Sequence, residues 1–297
     1  MLTVVAGVVE RLWPGRTAEI ELLSGGITNS NFRVDFGDEQ LVVRVPGANT
    51  YLLGIDRGTE VEANRIAAKI GIAPEVVLVD EISGYIVTRF IDGRTVSMAE
   101  LAREPLLGEV VATLRRVHRA GLVRTRFDHF EVIRGYHDEA RARGVKEPFD
   151  YGAASGVLER IELVRPFEPA VLGHNDLLNA NFLHDGSVRL LDWEYAGMAD
   201  PFFDLANFSV NNELGAECDE PIIRHYFGRV DRSLVAALLL TKLISELREA
   251  MWGVLQIALS ELDVDFVEYA TERGQRFGEL LARTDLERQL DFAFAGR

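Results

Sequence analysis

His174-Asn175-Asp176-Leu177-Leu178-Asn179-Ala180-Asn181, followed by Leu190-Leu191-Asp192, is the stretch on which the reading of this 297-residue chain turns. Asp176 and Asn181 are five positions apart, and Asp192 stands eleven further on, at the end of an apolar run. Either Asp or Asn alone would read as a turn residue. Together, on a loop that leads into a strand, they supply hard oxygen ligands and one proton acceptor. Phosphoryl transfer from a nucleotide needs such a set. One carboxylate orients the acceptor hydroxyl and takes its proton, an amide oxygen ligates magnesium, and a second carboxylate bridges metal and phosphates. On this reading Asp176 is the catalytic residue, and Asn181 and Asp192 are the Mg2+ ligands. His174 reads as a hydrogen-bonding brace for the loop.

The segments before this stretch are rich in strand signals. Ile20–Leu23, Phe32–Phe36 and Gln40–Val45 read as three short strands with glycine-rich or Gly-Asp turns between them. Asp56–Ile70 has helical spacing of Val61, Ile66 and Ile70 and stops at Gly71. Val76–Val79 and Tyr85–Phe90 add two strands around Ser83-Gly84. Beyond Ile91-Asp92-Gly93 the pattern turns helical, over Ser97–Ala102, Leu106–Arg119 and Ala153–Val164. A strand-rich interlude covers Phe182–Asp192, and a long helix runs from Ser233 to about Leu262 with Asp231 as its cap. The expected fold class is α+β and bilobal. A small sheet-rich lobe (1–91) precedes a larger helical lobe (92–297), with a ligand cleft between them.

Composition narrows the partners. The hydrophobic fraction is 47% and the charged fraction 27%, ordinary for a folded enzyme and unlike disordered or collagenous chains. Asp plus Glu outnumber Lys plus Arg, 47 to 32, for a net charge of −15. Such a field repels nucleic acid and anionic membrane surfaces and favours a small cation. Leu234–Leu240 is the longest apolar run and is too short for a membrane span. Met1–Val9 is apolar but has no basic flank, so it does not read as a secretory signal. Cys218 is the only cysteine and lies among acids, which fits a reducing compartment and an unreactive thiol. A cytoplasmic protein is expected. Its apolar helices suit a core or an interface between copies equally well.

The spacing of the central stretch equals the H-x-D-x-x-x-x-N of kinase catalytic loops, with Asp192 where the later metal-binding Asp stands. Nucleotide phosphates would then meet the glycines of Ser24–Asn31. There Gly25 and Gly26 allow close backbone approach, and Thr28, Asn29 and Ser30 add donors. Protein kinases place a strand lysine on the phosphates, paired with a helix Glu. Lysines occur only at 69, 146 and 242, so Arg44 is the available cation, with Glu60 or Glu62 as its partner. Arg57 could also reach phosphates. In Asp192-Trp193-Glu194-Tyr195 a strand would put both carboxylates on one face, with Glu194 behind the metal.

The chain also resembles choline/ethanolamine kinases, within the aminoglycoside-phosphotransferase-like superfamily of small-molecule kinases. The resemblance rests on HNDLLNANF, LLDWEYAG and DPFFDLAN, and on Ser24–Phe32, Leu41–Gly47, Ile55–Glu60, Met251–Gln256 and Phe266–Ala270. It implies a protein-kinase-like fold, ATP and Mg2+ as cofactors, arginine at position 44, and a structural role for Asp204 in holding the catalytic loop. It also implies that the helix bearing Trp252 lines the acceptor pocket. Glu249, Trp252 and Gln256 share one helix face, and Tyr195 could form another wall for a cation. Two positions depart from the family: Asn211 stands where a glutamate is usual, and Leu255 where a second tryptophan is usual. The candidate acceptor residues are therefore Tyr195, Asn211, Glu249 and Trp252. The expected activity is phosphorylation of choline, ethanolamine or a related amino alcohol. Another cationic alcohol, such as thiamine or an aminoglycoside, and a catalytically silent nucleotide-binding module are the alternatives.

Overall fold

The computed structural model describes residues 2–23, 29–47, 49–80 and 83–295. The amino-terminal part is an antiparallel sheet of β1 (Glu19–Leu23), β2 (Asn29–Asp35), β3 (Gln40–Pro46), β4 (Val76–Asp80) and β5 (Tyr85–Arg89), in the order β1-β2-β3-β5-β4. Alternation sets its faces. Phe32, Val34, Leu41, Val43 and Val87 are buried together against Val5 and Val9 of α1 (Leu2–Leu12). Arg44, one step out of phase, points to the opposite face. The apolar amino terminus is thus a helix that covers the sheet, a role its sequence was not read for. Its Val5, Val8 and Val9 form the buried stripe.

Asp56 caps α2 (Arg57–Lys69) by accepting from the Thr59 amide at 2.7 Å. The α2 helix does not pack on the sheet alone. Ala63, Ala67, Ile72 and Ala73 belong to one apolar cluster with Val110, Leu114 and Leu190, so the core runs continuously past residue 92. The chain then forms β6 (Arg94–Thr95), α3 (Met98–Leu101), α4 (Leu106–Val117), α5 (His129–Ala142) and α6 (Tyr151–Val164). Helix α5, capped by Asp128, was not foreseen.

Short strands β7 (Val171–Gly173), β8 (Phe182–His184), β9 (Val188–Leu190) and β10 (Gly197–Ala199) frame the segment from His174 to Asp192. They are followed by α7 (Pro201–Asn211), which packs on β7, and by α8 (Asp219–Phe227), α9 (Arg232–Leu259), α10 (Phe266–Arg283) and α11 (Leu286–Ala295). Strand β7 pairs with β10, and β8 lies between β6 and β9. The architecture is a kinase-like one, an antiparallel sheet followed by a helical body.

Helix α9 is the spine of the helical part, 28 residues long, with Asp231 as its cap. It touches α5, α7, α10 and α11, and is therefore buried nearly all round. Gly253 permits its close approach to α10: a Cβ there would lie 2.7 Å from Tyr269 Cδ1 and 3.2 Å from Ala270 Cβ. The Gly253→Ala variant should lose about 1–3 kcal/mol from overpacking, more than the ~1 kcal/mol gained in helix propensity. Urea denaturation checks this, and an unchanged midpoint would contradict it. Among the described residues, no helix is long and apolar enough to cross a membrane.

Candidate active site

The loop after β7 is held from below by α7. Asp204, fully buried, accepts from the backbone amides of His174 (2.8 Å) and Asn175 (2.7 Å), and pairs with His118 Nε2 at 2.8 Å. Asn207 accepts from the Leu177 amide at 2.6 Å, and Asn212 donates to the Leu177 carbonyl at 2.8 Å. Asp204, Asn207 and Asn211 recur at helical spacing on one face; the sequence pointed to Asp204 and Asn211, and Asn207 is added by the structure. Asn175 adopts φ 66°, a left-handed conformation that Asn tolerates better than most residues, and donates to the Tyr195 carbonyl at 3.0 Å. His174 contacts the Leu191 carbonyl through Nε2 at 2.8 Å and packs its ring on Trp193. Burial lowers its pKa, so it is a neutral strut between the two polar segments.

Asp176 stands above this platform with its side chain 13% exposed. Asn181 donates through Nδ2 to the Asp176 carbonyl (2.8 Å) and to its carboxylate (3.4 Å), leaving the amide oxygen as the free end. Burial pushes the Asp176 carboxyl well above its usual range. Arg248 opposes this, and Glu249, Asp192 and Glu194 add to it.

Asp192 also adopts a left-handed backbone, φ 60°. Strand β9 has ended at Leu190, so the expected strand through Asp192 and Glu194 does not form, and the two carboxylates are placed by a turn. Asp192 accepts from Arg44 Nη1 at 2.6 Å, while Arg44 Nη2 pairs with Glu60. Glu62 is exposed and takes no part. Arg57 spans Glu60 (2.7 Å), Glu194 (3.3 Å) and the Asn29 side-chain oxygen (3.1 Å). Asn29 donates in turn to Glu194 at 2.8 Å. Asn29 and Ser30 lie on β2, not in a loop, and the Asn29 amide is spent on Glu194 and Arg57. Gly25, Gly26 and Thr28 lie outside the described residues.

On the other side of Asp176 the four acceptor candidates converge. Trp252 donates through Nε1 to Tyr195 Oη at 2.9 Å. Glu249 Oε1 accepts from Asn207 (3.3 Å) and Asn211 (3.4 Å), and its Oε2 accepts from Tyr269 (3.0 Å). Two residues were not foreseen here. Tyr269 packs edge-on to Trp252 at 5.6 Å. Arg248, 1% exposed, donates to Glu249 at 2.6 Å and lies 3.7 Å from Asp176 Oδ1 and 4.5 Å above the Tyr195 ring. The sequence signal for it was the charged run Glu246, Arg248 and Glu249 within a largely apolar helix.

The donor chemistry fits Mg2+, which accepts one or two carboxylates and an amide oxygen and draws its remaining ligands from phosphates and water. Among the described residues, no three His, Cys, Asp or Glu side chains cluster as a self-contained metal site.

A kinase-like fold with a carboxylate, an amide and a second carboxylate in this order defines a small-molecule phosphotransferase, and the chain belongs to the phosphotransferase enzyme family (APH), matched over residues 19–238. Within it the chain falls in the choline/ethanolamine kinase branch. A solved structure of a choline/ethanolamine kinase family protein from Mesorhizobium loti is 31% identical, over 99% of this chain and 100% of that one, with a TM-score of 0.83. LicA from Haemophilus influenzae is 29% identical over 213 residues, which span 70% of this chain and 62% of LicA, less than two thirds of its length. A solved LicA structure in complex with AMP is 25% identical over 95% of this chain and 98% of that one, with a TM-score of 0.75. The chain is thus a kinase-type phosphotransferase acting on an alcohol group.

Proposed function

We propose that this chain is an ATP- and Mg2+-dependent kinase for the hydroxyl of choline, ethanolamine or a related amino alcohol. The observation that carries the reading is the position of Asp176, with Asn181 and Asp192 on one side and Tyr195, Trp252 and Tyr269 on the other. Asp176 takes the hydroxyl proton as the acceptor oxygen bonds to the γ-phosphorus and the bond to the ADP oxygen breaks. Asn181 and Asp192 would hold the metal, which supplies charge neutralisation on the phosphates. Arg44, now paired with Asp192 and Glu60, is the cation that meets phosphate when the nucleotide enters. Residues 1–91 then form the nucleotide lobe, and residues 92–297 the catalytic and acceptor lobe. The acidic chain and its one buried thiol suit the cytoplasm.

The test is ADP release from MgATP over a panel of amino alcohols, with the Asp176→Asn variant as blank. Magnesium-dependent release above the blank is expected for at least one acceptor. ATP binding without turnover on any of them would overturn the kinase reading in favour of a silent nucleotide-binding module.

A further inference from the structure

We propose that Arg248 makes this pocket select an amino alcohol that also carries an anionic oxygen group, a carboxylate or a phosphate, beside its hydroxyl. The inference rests on the phosphotransferase reading above and names the class of acceptor.

A bare ammonium is best held by an anion and aromatic faces. Here those groups are already engaged by the protein. Glu249 Oε1 receives Arg248 (2.6 Å), Asn207 (3.3 Å) and Asn211 (3.4 Å), and Oε2 receives Tyr269 (3.0 Å), so its charge is paired and Oε1 is fully used. The Tyr195 ring has the Arg248 guanidinium 4.5 Å from its centre. The protein's own cation occupies the seat that choline alone would need.

The unmet polar groups have the opposite character. Among the described residues, neither Nε nor Nη2 of Arg248 has a hydrogen-bond partner, although the side chain is only 1% exposed. Nε and Nη2 form one edge of the guanidinium, with two parallel N–H groups matched to the two oxygens of a carboxylate or phosphate. Nη1, on the opposite edge, is the nitrogen spent on Glu249 and directed to Asp176. The buried side-chain oxygen of Asn211 is likewise without a partner and can accept from an ammonium. A donor fork, an amide oxygen and a proton-accepting carboxylate together complement a zwitterion with a hydroxyl. The phosphoryl step is the one described above, with the hydroxyl proton passing to Asp176.

Matched acceptors test this on the full chain with MgATP. L-serine is ethanolamine plus a carboxylate, and L-carnitine carries choline's trimethylammonium and hydroxyl plus a carboxylate. Glycerophosphoethanolamine supplies phosphate instead and separates the two anion sources. The anionic member of each pair should have kcat/KM higher by about 100-fold or more, as for sites built to hydrogen-bond a substrate group. In the double variant Arg248→Gln, Glu249→Gln, which removes the ion pair as a unit, this ratio should fall to near unity. Ethanolamine and choline turned over as well as their partners, or a preference that survives in the double variant, would overturn the inference and leave the kinase reading standing. Turnover of no acceptor above the Asp176→Asn blank would overturn both. The wild-type ratios decide the matter even where the double variant fails to fold.

Discussion

Replacing Asp176 by Asn should lower kcat by roughly 10²–10⁴, the usual contribution of a positioned proton acceptor, with little change in the KM for ATP. Asparagine keeps the shape and one oxygen of the carboxylate but cannot take the hydroxyl proton. The variant should melt no lower than the parent at neutral pH, because burial and the nearby Glu249, Asp192 and Glu194 disfavour the charge of Asp176 in the metal-free fold. A raised carboxyl pKa means the native state holds its proton to higher pH than the unfolded chain. Stability contributed by that group therefore falls as pH rises through the raised value. The thermal advantage of Asn should grow over the same range. Single-turnover kinetics and melting curves check both parts. A loss below tenfold would remove Asp176 from the chemistry.

Asp204→Ala should damage the protein in the other way, through the fold first and activity second. The carboxylate satisfies two backbone amides and the His118 ring, all buried. Leaving three such groups without a partner costs about 3 kcal/mol or more. For a chain of this size that is a fall in melting temperature of about 5 °C or more. Any folded fraction should show reduced kcat, because the loop bearing Asp176 loses its anchor. Burial alone would raise the Asp204 pKa, but the hydrogen bond and charge of His118, with the His174 amide, hold it below its usual value. The sign is then the ordinary one: its contribution is present above the unfolded carboxyl pKa and is lost as pH falls through the folded value. Acid unfolding of the parent should lose this contribution, and Asp204→Ala should flatten that part of the profile. A variant as stable as the parent would show that the loop is held by something else.

Much of this was legible in the chain because local patterns report local structure. Alternation in Leu41-Val42-Val43-Arg44 was enough to place Arg44 opposite the face that α1 covers. Asp56 and Asp231 marked the starts of α2 and α9, because a capping side chain bonds within its own first turn. The same locality explains two misses. The stripe of Val5, Val8 and Val9 was present in the sequence but was weighed only as a targeting signal. The strand assumed through Glu194 failed because β9 ends at Leu190 and Asp192 turns left-handed, with its carboxylate paired to Arg44 from a distant strand.

The acceptor pocket shows where local pattern ends. Asp176, Asn181 and Asp192 could be chosen from spacing, since five and eleven residues fix which groups a loop and a strand bring together. Arg248 could not. On its helix it is one of several charged residues, beside Lys242, Glu246 and Glu249. Its meaning comes from Tyr195 and Asp176, which reach it from other segments of the chain. By itself the sequence determined the fold class and the order of the candidate catalytic groups, because both depend on periodicity and short spacing. Only the tertiary structure decided that Arg44 pairs with Glu60, that Glu249 is already neutralised, and that one edge of the Arg248 guanidinium has no hydrogen-bond partner among the described residues. Each of these is a matter of charge balance and hydrogen-bond capacity among residues far apart in sequence, and burial gives that balance its energetic weight.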